Sequence, residues 1–273
     1  MNVGVTTDRS MPMVKFSVCI DTLFTEFPFA ERSRKVAEMG FPAIEFWLHD
    51  EAGKDMQSLR QVTKECGIEV SDFTMNTPEG HIGGSLVNPR DKSKYLKRVK
   101  NTIQVAQMLD CRRMITCSGN IMKGMTMRQQ TRNMVTVLSQ ASKLAKEGGV
   151  TLLLEPLNTV VDHVGNFLDS VKLGFQVVNE VNSPNLKLLY DIYHMQIMSG
   201  NIIQTLRENI GSIGHIHCAG VPGRHELYMG ELNYRNIFKT IDELKYDGYV
   251  GLEYFPTLKS EESLKRVREL AET

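Results

Sequence analysis

The sequence lacks an excess of either charge and contains few cysteines. Lys and Arg together number 32, as do Asp and Glu, and no long run of like charge is present. A neutral chain has no long-range attraction for nucleic acids or acidic membrane surfaces, so we expect neither as a partner. The 5 cysteines are scattered without a Cys-x-x-Cys pair, which argues against a zinc ribbon or a disulfide framework. We therefore expect buried, reduced thiols in a cytoplasmic protein.

Long apolar runs are also missing. No stretch approaches the roughly 20 apolar residues that cross a bilayer, and the N-terminus has no apolar signal core. Residues 1–13 precede the first strand candidate, and we expect them to form a flexible N-terminal arm. No Pro- or Ser-rich linker or shift in composition divides the rest, so we expect residues 14–273 to form one domain.

The sequence does contain a regular alternation of β-type and helical runs. Runs of β-forming residues bounded by Gly, Asn or Pro predict buried strands at 14–20, 43–47, 68–74, 112–117, 150–155, 186–191, 213–217 and 249–253. The intervening spacing predicts eight helices, among them one capped by Asp50 and one over 193–209. This alternation is typical of a single (β/α)8 TIM barrel. An open, doubly wound sheet is the alternative, but no Gly-x-Gly-x-x-Gly follows the first strand.

Four consecutive predicted strands end in side chains that can bind a metal ion, namely Glu155, Asp191, His217 and Glu253. In a TIM barrel the carboxyl ends of the strands form the functional rim. Three carboxylates brought together there raise one another's pKa values unless a cation joins them. For one residue alone, an ordinary polar strand end would explain the pattern. The four together predict a divalent metal site that suits Mn²⁺ or Mg²⁺ and would tolerate Co²⁺, Fe²⁺ or Zn²⁺.

Polar side chains near these four are candidates for substrate binding. Asn158 and His194 each follow a predicted ligand by three residues, and either could bind the metal or substrate hydroxyls. Arg224, on the loop after the seventh strand, can bind a carboxylate through two parallel hydrogen bonds. Trp47, at the end of the second strand, and His81, after the third, could form the opposite wall, although single aromatic residues at strand ends often only pack.

Several segments together resemble a known family. They are Leu-Phe-Thr-Glu-Phe-Pro-Phe at 23–29, Leu-Glu-Pro-Leu-Asn-Thr at 154–159, Val-Pro-Gly-Arg-His-Glu at 221–226, Gly-Glu-Leu-Asn-Tyr at 230–234 and the run 246–254. With them, the chain from about residue 14 onward resembles the xylose-isomerase-like TIM barrels that act on sugars, and most of all the hydroxypyruvate isomerase family. The resemblance implies that Glu155 and Glu253 are the catalytic acid/base pair. It also implies a small carbohydrate or oxo-acid substrate and a homo-oligomer.

Two positions bear on which reaction the resemblance implies. Hydroxypyruvate isomerases often have Gln where this chain has His217, whereas ketose 3-epimerases of the same superfamily use His. Those epimerases usually have a further Glu where this chain has Val161. The resemblance therefore implies a metal-dependent isomerase, such as a hydroxypyruvate or 2-oxo-tetronate isomerase, that works through an enediolate. A ketose 3-epimerase, or a lyase or dehydratase that eliminates from an oxidised sugar, remains the alternative.

Two further rivals receive less support. Endonuclease IV has the same barrel but uses a His-rich three-zinc cluster and a basic surface, which neutral charge and 7 histidines argue against. A sugar-binding barrel without activity would not need two opposed glutamates.

Overall fold

Eight short runs of mostly apolar residues form parallel strands in a computed structural model that describes residues 14–272. The strands are β1 (Lys15–Cys19), β2 (Ala43–Phe46), β3 (Glu69–Thr74), β4 (Arg113–Thr116), β5 (Thr151–Leu154), β6 (Leu186–Asp191), β7 (Ile213–Cys218) and β8 (Tyr249–Leu252). Each strand pairs in parallel with the next, and β8 pairs with β1. Because the ring is closed, the open-sheet alternative is excluded and the predicted TIM barrel is confirmed. The predicted arm at 1–13 lies outside the described residues.

Helices connect the strands around the outside of the barrel, as parallel strands require. They are α1 (Phe29–Glu38), α2 (Met56–Cys66), α3 (Lys92–Met108), α4 (Met127–Gly148), α5 (Val171–Val181), α6 (Ile192–Met198), α7 (Ile202–Asn209), α8 (Tyr234–Glu243) and α9 (Ser260–Ala271). Single turns of 3₁₀-helix occupy Pro89–Asp91 and Ile210–Ser212. Within residues 14–272, no helix has both the length and the apolar character that crossing a bilayer demands.

Two helix predictions are wrong in detail. The prediction that Asp50 caps α2 fails because a turn intervenes, and the side chain of Asp55 accepts the capping hydrogen bond from Gln57 N instead. Asp50 pairs with Arg98, whose Nη2 lies 2.8 Å from Asp50 Oδ1. The helix predicted over 193–209 is split into α6 and α7, because Gly200 and Asn201 adopt left-handed backbone angles, with φ of 61° and 54°. Residues 14–272 therefore contain nine α-helices rather than eight.

The barrel interior has an apolar side and a polar side. Side chains alternate along each strand, so every second residue points inward. Ile115, Leu153 and Leu189, from β4, β5 and β6, form a small cluster of their own. The opposite side carries buried polar residues from β1, β2, β3 and β7, which are Ser17, Glu45, Asp72 and His215. The barrel mouth thus lies above a buried polar layer, which a barrel filled for packing alone would not need.

Candidate active site

The four predicted metal ligands converge at the carboxyl end of the barrel. Asp191 closes β6, Glu155 and Glu253 directly follow β5 and β8, and His217 is the penultimate residue of β7. Each is at most 7% exposed, and each offers one ligand atom such that all four atoms lie within 4.8 Å of one another. The structure therefore brings together the arc that the strand pattern predicts.

His217 lies between the two glutamates of this group. Its Nδ1 atom is 3.3 Å from Glu253 Oε2 and 3.7 Å from Glu155 Oε1. Although it is buried, Nδ1 makes no aligned hydrogen bond within residues 14–272. Burial by itself lowers the pKa of His217, but the carboxylates of Glu45 and Glu253 outweigh it and raise that pKa well above its usual value. The ring nitrogen thus faces a concentration of negative charge that favours a cation.

Glu253 is the most strongly contacted carboxylate of the group. Trp47 Nε1 donates a hydrogen bond of 2.6 Å to its Oε1, and Arg224 Nη2 contacts its Oε2. Burial raises the pKa of Glu253, but Arg224 and His217 together prevail and hold that pKa well below its ordinary value. Glu253 is therefore ionised across the neutral range.

Asp191 is both a predicted ligand and the N-cap of α6. Its Oδ1 accepts a hydrogen bond of 3.1 Å from His194 N, which leaves Oδ2 3.7 Å from Arg224 Nη2. Burial raises the pKa of Asp191 to about 7, against the opposing influence of Arg224. A helix N-terminus thus fixes this carboxylate while one oxygen remains directed at the cluster.

A cavity of about 280 Å³ is lined by two of the four residues, Glu155 and Glu253. His194, Arg224 and Trp47 also contribute to its lining. This volume suits a small polar molecule rather than a polymer.

Arg224 is fixed in the cavity through its backbone. It has a left-handed φ of 57°, which is uncommon for a residue other than glycine. Its N–H donates to Gly220 O at 3.0 Å, and its carbonyl accepts from Phe255 N at 2.8 Å. Its guanidinium lies 5.2 Å over the ring of Tyr193. Both carboxylate contacts use Nη2, and a guanidinium has five N–H donors in all.

The structure does not bring two predicted substrate-binding residues to the cavity wall. Asn158 is fully buried behind His194, with its Nδ2 2.7 Å from His194 Nδ1. Asn158 thereby orients an imidazole that does line the cavity. His81 is exposed outside the cavity lining, and its backbone carbonyl accepts a hydrogen bond from Lys94.

Sequence reasoning missed several lining residues. Thr74 and Cys117 lie at or just beyond the ends of β3 and β4, where the rule that identified the four ligands would also have found them. Cys117 Sγ lies 4.0 Å from Glu155 Oε2. His163, whose ring centroid is 5.4 Å from that of His194, comes from the loop before α5 and had no signal in the sequence.

The residues present fit a divalent metal ion. Three carboxylates and one imidazole form a mixed oxygen and nitrogen set that such ions accept. The unpartnered Nδ1 of His217 supplies a nitrogen donor in the middle of the set. We take these four residues as the candidate metal ligands.

Comparison with known proteins identifies the family of the chain. A family model described as xylose isomerase-like TIM barrel matches residues 33–270. A 2-oxo-tetronate isomerase of Cupriavidus necator is 31% identical to this chain, and the match covers 89% of this chain and 94% of the isomerase. A hydroxypyruvate isomerase of Escherichia coli is 30% identical over 93% of this chain and 98% of its own. A crystal structure described as AP endonuclease, family 2, from Brucella melitensis superposes with a TM-score of 0.86 at 31% identity, covering 94% and 99% of the two chains. The resemblance drawn from the sequence segments is confirmed.

Proposed function

The chain belongs to the xylose isomerase-like TIM barrel family and to its hydroxypyruvate isomerase group, and we propose that it isomerises a short hydroxy-oxo acid with the help of a divalent metal ion. It is an enzyme of the isomerase or epimerase type. The observation that carries the proposal is the convergence of Glu155, Asp191, His217 and Glu253 in one group, two of whose glutamates line a small cavity.

The two glutamates provide the proton transfers. Isomerisation moves two protons: one leaves the hydroxyl-bearing carbon and one is returned to the neighbouring carbonyl carbon, while the hydroxyl proton passes to the former carbonyl oxygen. Glu155 and Glu253 both line the cavity, so one carboxylate takes the proton and the other carboxyl group supplies one. When bound, a divalent ion supplies electrophilic stabilisation to the enediolate oxygens. The ion is Mn²⁺ or Mg²⁺ in our proposal, because oxygen ligands dominate the set.

Arg224 and His194 orient the substrate. Arg224 is the cationic side chain of the cavity lining, and its guanidinium matches a carboxylate such as that of hydroxypyruvate or a 2-oxo-tetronate. His194 is fully buried, and burial followed by the charge of Arg224 lowers its pKa well below the usual value. A neutral imidazole can share a hydrogen bond with a substrate hydroxyl without adding charge to the site.

Epimerisation of a free ketose at C3 is the second candidate. The observation in its favour is that the cluster contains His217, because ketose 3-epimerases use a histidine as the metal ligand at this position. Val161 stands where those epimerases usually have a glutamate, and its side chain is 62% exposed.

Proton NMR in D₂O distinguishes these reactions. The protein, loaded with Mg²⁺, is incubated separately with hydroxypyruvate, a 2-oxo-tetronate and free ketoses. We expect deuterium incorporation and a new isomer only with the oxo-acids. Exchange confined to ketoses would favour the epimerase, and no exchange with any of them would contradict both candidates.

The proposal also covers the cellular location and the oligomeric state of the enzyme. The cysteines in the described residues are free, and four of the five are buried, as a reducing compartment allows, so we propose that the enzyme works in the cytoplasm. We further propose a homo-oligomer, on the strength of the family resemblance. Light scattering coupled to size-exclusion chromatography tests the latter, and a monomer would contradict it.

A further inference from the structure

A second group of ionisable side chains lies in the polar layer beneath the candidate metal ligands. It consists of Glu45 on β2, Asp72 on β3 and His215 on β7, with His217 shared between the two groups. Glu45 and Asp72 are neighbours in the sheet register. All are at most 2% exposed. Isolated buried carboxylates are costly, so their placement here requires partners that compensate them.

The Glu45 carboxylate bridges two imidazoles with one oxygen each. Its Oε2 lies 3.0 Å from His215 Nε2, and its Oε1 lies 3.2 Å from His217 Nε2. Neither Glu45 Oε1 nor His217 Nε2 makes an aligned hydrogen bond within residues 14–272, so these two atoms face one another with no competing partner.

His215 is the side chain that contacts the other carboxylate oxygen of Glu45, and Asp72 lies beyond it without a direct contact to Glu45. His215 Nε2 also lies 3.2 Å from Asp72 Oδ2, which accepts a hydrogen bond of 2.9 Å from Ser71 Oγ. Ser71 in turn shares a 2.7 Å hydrogen bond with Ser17. Glu45 therefore contacts His217 at Nε2, whereas the candidate metal ligands Glu155 and Glu253 face Nδ1 on the other side of the ring.

Gly251 on β8 provides the space for this contact. It is the register neighbour of His217, and a Cβ added at Gly251 would lie 2.3 Å from Glu45 Oε1 and 2.6 Å from His217 Cδ2. Any side chain here would force the carboxylate and the imidazole apart. The glycine is explained by this approach, because its backbone needs no left-handed angle.

We propose that Glu45 is a positioning residue, which keeps the proton of His217 on Nε2 and so presents Nδ1 to the metal ion. Metal-bound histidines generally donate their second N–H to such a carboxylate, which orients the ring and makes it a better ligand. This inference rests on the metal site of the proposed function. It adds Glu45 to the residues that set the affinity for the ion. Gly251 contributes by leaving the space in which Glu45 and His217 meet.

The test measures Mn²⁺ binding through the loss of the free-ion EPR signal, which needs no turnover. We expect Glu45→Gln to raise the Kd for Mn²⁺ about 10- to 100-fold, the usual effect of altering such a partner, because a neutral amide accepts the N–H of His217 less strongly than a carboxylate does. Asp72→Asn is the matched control, because it removes a buried carboxylate from the same group without touching His217. We expect its Kd to change by less than about 3-fold, since Glu45 stays in place.

Gly251→Ala gives a second route should Glu45→Gln fail to fold. We expect it to weaken Mn²⁺ binding as well, whereas Gly214→Ala should not, because its added methyl would meet Leu153 and Lys187 instead. An unchanged Kd in folded Glu45→Gln, or an equal loss in Asp72→Asn, would overturn the inference while leaving the proposed function intact. If the wild-type protein binds no Mn²⁺, the metal site and this inference both fall.

Discussion

Trp47 Nε1 donates a 2.6 Å hydrogen bond to Glu253 Oε1, and so joins the end of β2 to the residue that follows β8. β1 lies between these two strands in the barrel, so the indole spans part of the rim to reach the carboxylate. The bond fixes one oxygen of Glu253 and leaves Oε2 directed at His217 and Arg224. Trp47 is therefore part of the candidate site through its ring nitrogen as well as its apolar surface.

Replacing Trp47 with Phe should lower kcat about 10-fold or more, because Glu253 loses the donor that fixes its Oε1 and small misplacements of a reacting group are costly. The thermal midpoint should also fall by a few degrees, since a hydrogen bond to a charged group contributes roughly 1.5–3 kcal/mol to stability. Phe255→Leu is the control, because Phe255 packs against the Trp47 ring at 6.4 Å without touching Glu253. Steady-state kinetics with the oxo-acid measures both, and equal losses in the two variants would contradict the role of the N–H group.

Replacing Glu155 or Glu253 with Gln should each reduce turnover about 100- to 10,000-fold, because the amide cannot transfer the proton. Substrate binding, followed by calorimetry, should persist, since the amide keeps an oxygen at the site. Glu79→Gln is the matched control, as Glu79 also lines the cavity but lies outside the four ligands. Activity retained in either Glu155→Gln or Glu253→Gln would remove that residue from the acid/base pair.

Metal affinity should rise with pH between about 6 and 8. Ligands must lose their protons before they bind an ion. Burial raises the pKa of Asp191 to about 7, and the surrounding carboxylates raise that of His217, so both hold protons more firmly than free side chains do. As pH increases, these protons no longer compete with the ion. Calorimetry in buffers of different ionisation enthalpy should show that metal binding releases protons. A metal affinity that decreases as the pH is raised would contradict the assignment.

Gly230→Ala should destabilise the loop that carries Arg224. Gly230 has a φ of 93°, and an added Cβ would lie 2.1 Å from the carbonyl oxygen of Val221. We expect a loss of about 1–3 kcal/mol in the free energy of unfolding. Gly53→Ala has a similar φ of 86° but meets nothing within 4 Å, so it should cost less. Chemical denaturation of both variants measures the free energy of unfolding. Equal losses in the two variants would show that the backbone angle alone, and not the contact with Val221, determines the destabilisation.

Much of the architecture and the metal cluster could be predicted because both follow from local patterns. Alternating strands and helices specify the barrel, and the strand ends specify its rim, so Glu155, Asp191, His217 and Glu253 were found without any contact information. Thr74 and Cys117 follow the same rule but are less distinctive chemically.

Contacts across the barrel could not be predicted in this way. Nothing in the spacing indicates that Glu45 reaches the far side of His217, or that Gly251 clears the space between them. Asn158 likewise has the spacing of a site residue, but the loop that follows it turns its amide behind His194. Strand register and loop path decide these positions, and both depend on the whole fold.

Anomalous diffraction from crystals soaked in Mn²⁺ tests the central claim most directly. The account predicts one strong peak about 2.0–2.4 Å from ligand atoms of Glu155, Asp191, His217 and Glu253, with His217 bound through Nδ1. A peak among Glu45, Asp72 and His215 instead, or no bound ion at saturating Mn²⁺, would contradict it.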